Sequence, residues 1–147
     1  MILKRKPSAD DRVICQLIRR ELIPLNEPEL RPAASSDRVL KKRLNQGDTF
    51  VWRLTGVPHA MGFIAMVNRR PELCIDLLAV DRRYRGRGIG SELLSFAEQY
   101  GRRRGCRHMA LYVNNTNARG IRFYRKHGMY LSRHDEQLQC FVMEKWL

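Results

Sequence analysis

Three alternating glycines, Gly86, Gly88 and Gly90, constrain this chain more than any other feature. They follow an apolar, strand-like run that ends at residues 77–80, and they open a segment with apolar residues at helical spacing, 89–100. A strand, a glycine loop and a helix start together present unpaired backbone N–H groups and a positive dipole end to an anion. Glycine also lets the backbone come close to a phosphate, because it has no Cβ. The sequence therefore predicts a phosphate-binding loop here.

Fixed positive charge is concentrated in the same loop, at Arg82, Arg83, Arg85 and Arg87. The loop matches neither common nucleotide motif. No lysine follows Gly90, as a mononucleotide P-loop requires, and Ser91 stands where a dinucleotide fingerprint has its third glycine. The residues do fit R-x-x-G-x-G over 85–90, directly after a strand that ends in Leu-Ala-Val.

This motif resembles the coenzyme A pyrophosphate loop of the GNAT family of acyl-CoA-dependent N-acetyltransferases. Residues 117–129 are similar to a second motif of that family, N-x-x-A-x-x-x-Y-x-x-x-G-F. The matching positions are Asn117, Tyr124 and Gly128. Gly120 replaces the usual alanine and Met129 replaces the usual phenylalanine. The resemblance runs from about residue 48 to residue 147, whereas the first 47 residues match only in the order of their elements.

The resemblance implies an α+β fold with a mixed, mostly antiparallel sheet of six or seven strands and about four helices. The sheet would splay at its centre, between the strand ending at Val80 and the strand ending at Val113, and acetyl-CoA would enter there as co-substrate. Backbone groups of Leu78 and Val80 would pair with its pantetheine arm, and Asn117 would hydrogen-bond that arm from the other side. The residues implied to contact the coenzyme are Leu78, Ala79, Val80, Arg85, Gly86, Arg87, Gly88, Ile89, Gly90, Ser91, Asn117 and Tyr124.

Catalysis needs a proton donor and, for a lysine-like acceptor, a base. The resemblance places Tyr124 near the thioester sulfur, and a phenol with a pKa of about 10 can protonate a thiolate whose conjugate acid has a pKa of about 8.5. The attacking amine has to be neutral, so a carboxylate near it would help. Asp76, inside the apolar strand 72–80, and Glu72 at its start are the candidate bases. Core packing for Tyr124 and a hydrogen bond to a backbone neighbour for Asp76 are the alternatives. Further ionisable candidates are Glu27, Glu29 and His134.

Periodicity and turn residues divide the rest of the chain. Helices are predicted at 8–22, with Ser8 at the start, and at 35–47, 88–104 and 117–127. Strands are predicted at 1–6, 49–54, 60–67, 72–80, 108–113, 129–132 and 138–146. A proline-containing loop joins the first two helices, and its acidic residues favour a cationic acceptor amine.

Composition indicates one globular domain over residues 1–147, with 44% hydrophobic and 29% charged residues. No apolar run is long enough to span a membrane, and no signal peptide is apparent. The four cysteines are scattered and lack metal-ligand spacing, so we expect reduced cysteines, no metal, no cysteine nucleophile and a cytoplasmic protein.

The net charge of +13 raises the possibility of a nucleic-acid partner. We expect it to serve the coenzyme instead, since part of it lies in the glycine loop and part, residues 102–104, at a predicted helix C-terminus. The sequence thus predicts an enzyme, monomeric or homodimeric, that acetylates a primary amine of a small molecule, a protein N-terminus or a lysine by direct attack in a ternary complex. The alternatives are a non-catalytic acyl-CoA-binding module and a basic RNA-associated protein.

Overall fold

The computed structural model describes residues 1–25, 30 and 36–147. The predictions for Glu27 and Glu29 therefore lie outside the described residues. In the described part of the chain, no helix is long and apolar enough to cross a membrane.

Four α-helices and seven strands make up the described fold, and both numbers agree with the prediction. The helices are α1 (Pro7–Leu17), α2 (Asp37–Leu44), α3 (Ile89–Arg103) and α4 (Ala118–Lys126). The strands are β1 (Ile2–Lys4), β2 (Asp48–Trp52), β3 (Gly62–Arg69), β4 (Glu72–Val80), β5 (His108–Asn114), β6 (Tyr130–Asp135) and β7 (Cys140–Trp146). A π-helical turn over Ile18–Leu22 extends α1, and short 3₁₀ turns cover Ile23–Leu25 and Arg82–Tyr84.

One sheet contains all seven strands, in the order β1-β2-β3-β4-β5-β7-β6. Every neighbouring pair is antiparallel except β4 and β5, which run parallel. That parallel pair extends only from Glu72 opposite His108 to Ile75 opposite Leu111. Beyond it β4 continues to Val80 and β5 to Asn114 without pairing to each other. The predicted splay at the centre of the sheet is confirmed.

A β-bulge interrupts β4 just where the two central strands part. Ala65 of β3 lies opposite Leu77, but the next residue, Met66, lies opposite Ile75, so Asp76 is the extra residue. One extra residue reverses the side on which later residues point, because strand side chains alternate with a period of two. Ile75 accordingly packs on one face of the sheet and Leu77 on the other.

Two hydrophobic cores cover the two faces of the sheet. The first contains Ile75 and, from α3, Leu93 and Leu94, both fully buried. The second contains Leu77 and, from α1, Ile14, which is also fully buried. The apolar stripes of the helices predict these contacts, because residues three and four apart share one helix face. Loss of one such leucine to alanine typically costs about 2–5 kcal/mol.

The start of α1 differs from the prediction. The helix begins at Pro7, and Ser8 does not cap it. Proline suits the first helical position, since its missing N–H has no partner there in any case. The Asp10 carboxylate instead accepts a hydrogen bond from the Lys6 N–H at 2.7 Å. At α2 the prediction is confirmed: Ser36 is the N-cap, and its hydroxyl accepts from the Val39 N–H.

Candidate active site

A cavity of about 400 Å³ lies at the C-terminal end of β4, between the glycine loop, α4 and the turn that follows α1. We call it the first cavity. It brings together most of the residues predicted to contact the coenzyme, namely Leu78, Ala79, Val80, Arg85, Gly86, Gly88, Ile89, Gly90, Ser91, Asn117 and Tyr124. Arg87 belongs to the same loop but does not line the cavity.

The backbone of the glycine loop has the conformation that glycine allows. Gly86 and Gly88 have φ values of +78° and +81°, a region that residues with a Cβ rarely adopt. A Cβ built on either would meet nothing within 4 Å, so open space lies beside both. Gly88 is also the N-cap of α3, whose first amides have no partner within the helix. The loop therefore leaves open space beside the start of α3, where backbone amides have no partner within the helix.

Gly90 has a different reason to be glycine. A Cβ there would lie 3.2 Å from the ring of Phe123, which is closer than ordinary contact. The small residue therefore lets α4 pack directly against the start of α3. A hydrogen bond of 2.9 Å between the Ser91 hydroxyl and Nε2 of His127 joins the same two helices. Burial lowers the pKa of His127, so its ring is neutral at pH 7.

The arginines of the loop mostly bind carboxylates of the protein itself. Arg82 and Arg85 both donate to Glu21, which is buried at the end of the α1 extension. Arg83 donates to Asp81 at 2.9 Å, and Arg20 donates to the same carboxylate. These hydrogen bonds, with that of Arg83 the largest cause, lower the pKa of Asp81 to about 2. Three of the four arginines therefore pair with carboxylates, and two of them, Arg82 and Arg85, attach the loop to the α1 extension.

Arg87 has a different environment. No carboxylate in the described part of the chain pairs with it, and its guanidinium lies over the Tyr84 ring, 5.6 Å from the ring centre. It remains an exposed positive charge beside the glycine loop.

Helix α4 supplies two further predicted residues. Asn117 is its N-cap, and Oδ1 of Asn117 accepts a hydrogen bond from the Gly120 N–H at 2.9 Å. A Cβ at residue 120 would lie 2.6 Å from Nδ2 of Asn117, so glycine rather than the family's alanine suits this cap. Tyr124 is half-buried against Phe123, with the ring centres 5.3 Å apart.

A second cavity, of about 440 Å³, lies where β4 and β5 part. Side chains from α2, β3, β4 and β5 line it, together with Leu138 of the β6–β7 turn. Leu77 lines this second cavity and its neighbour Leu78 lines the first. Leu77 and Leu78 are adjacent in β4 and point to opposite faces of the sheet, so the two cavities lie on opposite faces of the strand at this point.

Comparison with known proteins assigns this arrangement to a family. The family model described as the acetyltransferase (GNAT) family matches residues 14–129. The chain belongs to the GNAT family of acetyltransferases.

Two curated relatives of this GNAT acetyltransferase match over part of its length. An uncharacterised N-acetyltransferase of Methanocaldococcus jannaschii is 35% identical over 96 residues, 60% of this chain and 41% of that protein. The streptothricin acetyltransferase of Streptomyces lavendulae is 41% identical over 56 residues, 38% of this chain and 30% of that protein. The matches thus span less than half the length of these relatives.

Solved structures share the fold over the whole chain. Ard1 from Thermoplasma volcanium has a TM-score of 0.82 at 21% identity, and the match covers 100% of this chain and 97% of that one. PaiA N-acetyltransferase from Thermoplasma acidophilum, solved in complex with coenzyme A, has a TM-score of 0.78 at 21% identity, covering 100% and 99%.

The candidate bases of this GNAT acetyltransferase lie in two different places. Asp76 lines the second cavity, where Nε and Nη2 of Arg43 donate to its two oxygens at 3.0 and 2.9 Å. Glu72 lies at the other end of β4, about 26 Å from Val80 along the strand. It lines neither cavity.

The surroundings of Glu72 are a finding that the sequence alone did not give. His108 lies 3.0 Å from its carboxylate, and Glu144 of β7 completes a group whose three ligand-type atoms lie within 4.8 Å of one another. The residues are far apart in sequence and meet only through strand pairing. His134, another candidate, contacts Asn115 and lines neither cavity.

Proposed function

We propose that this acetyltransferase moves an acetyl group from acetyl-CoA to a primary amine by direct attack in a ternary complex. The observation that carries the proposal is the parting of β4 and β5 beside a loop of positive-φ glycines. The first cavity would take the coenzyme and the second the amine, because the adjacent residues Leu78 and Leu77 line them from the two faces of β4, beside the gap between β4 and β5.

The residues of the first cavity fit the coenzyme. Amides of the glycine loop and of the first turn of α3 would hold the pyrophosphate, since no Cβ lies over Gly86 or Gly88. The edge of β4 beyond Ile75 does not pair with β5, so backbone groups of Leu78 and Val80 would hydrogen-bond the amides of the pantetheine arm. Arg87 would supply a positive charge to the pyrophosphate, because the other three loop arginines pair with Glu21 and Asp81. When bound, acetyl-CoA supplies the thioester that the amine attacks.

Tyr124 would act on the leaving group. Its side chain lines the coenzyme cavity from α4 and is half-buried. A phenol is protonated at neutral pH and can donate its proton as the thiolate departs. Asn117 would only contact the pantetheine arm and would take no part in the chemistry, because its side chain also caps α4.

Asp76 would face the incoming amine from the second cavity. Asp76 is the only carboxylate among the described residues lining that cavity, and it directly precedes Leu77. Cys74 lines the cavity too, but burial raises the pKa of its thiol to about 11. A thiol with that pKa is a poor nucleophile at neutral pH, which supports direct transfer without an acetylated enzyme.

Binding and turnover test the proposal separately. Calorimetry should show acetyl-CoA binding, and a panel of primary amines should give amine-dependent thiol release with an acetylated product. Initial velocities against both substrates should give intersecting lines, as a ternary complex requires. Failure to bind acetyl-CoA would contradict the proposed function, and parallel lines would contradict direct attack.

A further inference from the structure

Positive charge predominates among the charged residues that line the second cavity. Three cationic side chains line it, Lys42 and Arg43 of α2 and Arg69 of β3. Asp76 is the carboxylate among its described lining residues, and both of its oxygens accept hydrogen bonds from Arg43. Two cations, Lys42 and Arg69, are thus left in excess.

The order of these charges along the cavity is fixed by the strands. Asp76 lies beside Leu77, which lines the second cavity and is followed in β4 by Leu78 of the first. Arg69 lies opposite Glu72 in the β3–β4 hairpin, five residues along β4 from Leu77, which is about 16 Å. Glu72 itself is held by His108 and does not line the cavity. Lys42 lies within α2, next to Arg43, and is exposed.

The two excess cations favour an acceptor that carries a carboxylate in addition to its amine. Resting on the proposed function, we propose that the acceptor is an amine that also carries a carboxylate, with the amine toward Asp76 and the carboxylate toward Lys42 and Arg69. A diamine would place its second positive charge among the excess cations, and like charges repel at this range. The inference differs from the cationic acceptor that the acidic loop residues suggested, and it rests on the charged residues of the second cavity, three of which are cations and one a carboxylate.

Three acceptors of equal length test the proposal. 6-Aminohexanoate, its neutral amide and 1,6-diaminohexane share the reacting amine and differ only at the far end. We expect 6-aminohexanoate to have a kcat/KM at least about tenfold above the other two, as for loss of one charged hydrogen bond. An equal or higher value for the amide or the diamine would overturn the proposal.

Variants of Lys42 and Arg69 test whether these residues cause the preference for 6-aminohexanoate. Lys42→Glu should remove most of the advantage of 6-aminohexanoate, and Arg69→Gln should reduce it, mainly through KM. Lys41→Glu is the matched control, because it makes the same charge change as Lys42→Glu at an exposed neighbour on α2 that does not line the cavity. A preference unchanged in both Lys42→Glu and Arg69→Gln would overturn the assignment.

Calorimetry without coenzyme separates this inference from the proposed function. The free protein should bind 6-aminohexanoate more tightly than 1,6-diaminohexane, and Lys42→Glu should reverse that order. If the order is seen but acetyl-CoA neither binds nor turns over, the proposed function fails and the charge preference stands. If acetyl-CoA binds and is turned over with other amines but 6-aminohexanoate is neither bound nor acetylated, the acceptor class is wrong.

Discussion

Replacing Asp81 with asparagine tests how the glycine loop is held. The Asp81 carboxylate is buried and accepts from the Arg83 side chain and backbone N–H, both at 2.9 Å, and from Arg20 at 3.0 Å. Asparagine keeps an oxygen that can accept from the backbone N–H of Arg83, so the substitution removes chiefly the charge.

The expected magnitude follows from the pKa of Asp81, which is lowered from 3.8 to about 2. Each pKa unit is worth about 1.4 kcal/mol, so the full effect would be about 2 kcal/mol. Arg83 and Arg20 have side chains 65% and 43% exposed, and solvent screens their charge. We therefore expect Asp81→Asn to lower the free energy of unfolding by about 1–2 kcal/mol at pH 7, or the Tm by about 2–8 °C.

The lowered pKa of Asp81 also determines how its contribution to stability changes with pH. A carboxylate whose pKa is lower in the folded protein stabilises above the unfolded pKa of 3.8, and this contribution is lost as the pH falls through about 2. The difference between wild type and variant should be constant above about pH 5 and fall to about one third at pH 2.5. Urea unfolding across this pH range measures the difference in free energy of unfolding between wild type and Asp81→Asn. Glu136→Gln is the control, because it removes an exposed carboxylate. A difference that persists undiminished at pH 2.5 would refute the electrostatic reasoning.

Three further predictions concern the coenzyme, the chemistry and the surface charge. Gly88→Val should weaken acetyl-CoA binding more than about tenfold, as for loss of a charged hydrogen bond. Gly56→Val should leave the binding unchanged, and it is a matched control for backbone strain because Gly56 has a φ of +80° and equally open space. Tyr124→Phe should lower kcat about 100-fold with little change in the KM for acetyl-CoA, and a raised KM at unchanged kcat would instead indicate a binding role. Changing residues 102–104 together to glutamine should leave acetyl transfer to a small amine unchanged, and submicromolar tRNA binding in a gel shift at near-physiological salt, lost in this variant, would show that the charge serves nucleic acid.

Local signals made part of the site predictable. The glycine loop over residues 86–90 and the helix beginning near residue 117 depend on short segments, so the sequence reveals them directly, whereas the cap formed by Asn117 appears only in the structure. The same holds for β4, whose predicted bounds, 72–80, are those of the structure.

Tertiary pairings were not predictable in this way. Glu21 lies more than sixty residues before Arg82 and Arg85, and no local pattern indicates that their charges meet. The sequence therefore suggested that all four loop arginines face phosphate, whereas three of them bind carboxylates. The group formed by Glu72, His108 and Glu144 was missed for the same reason, since only the strand register brings its members together.

The extra residue at Asp76 lets single substitutions in β4 affect one cavity at a time, but it makes both cavities depend on the length of the strand. Substitutions at Cys74 or Asp76 can reshape the acceptor side while Leu78 and Val80 keep their side chains on the coenzyme side. A deletion of one residue in this strand would restore simple alternation and turn every later side chain to the opposite face. On the proposed function, a point substitution in β4 would therefore alter one cavity, whereas a single-codon deletion would exchange the side chains that face the two cavities.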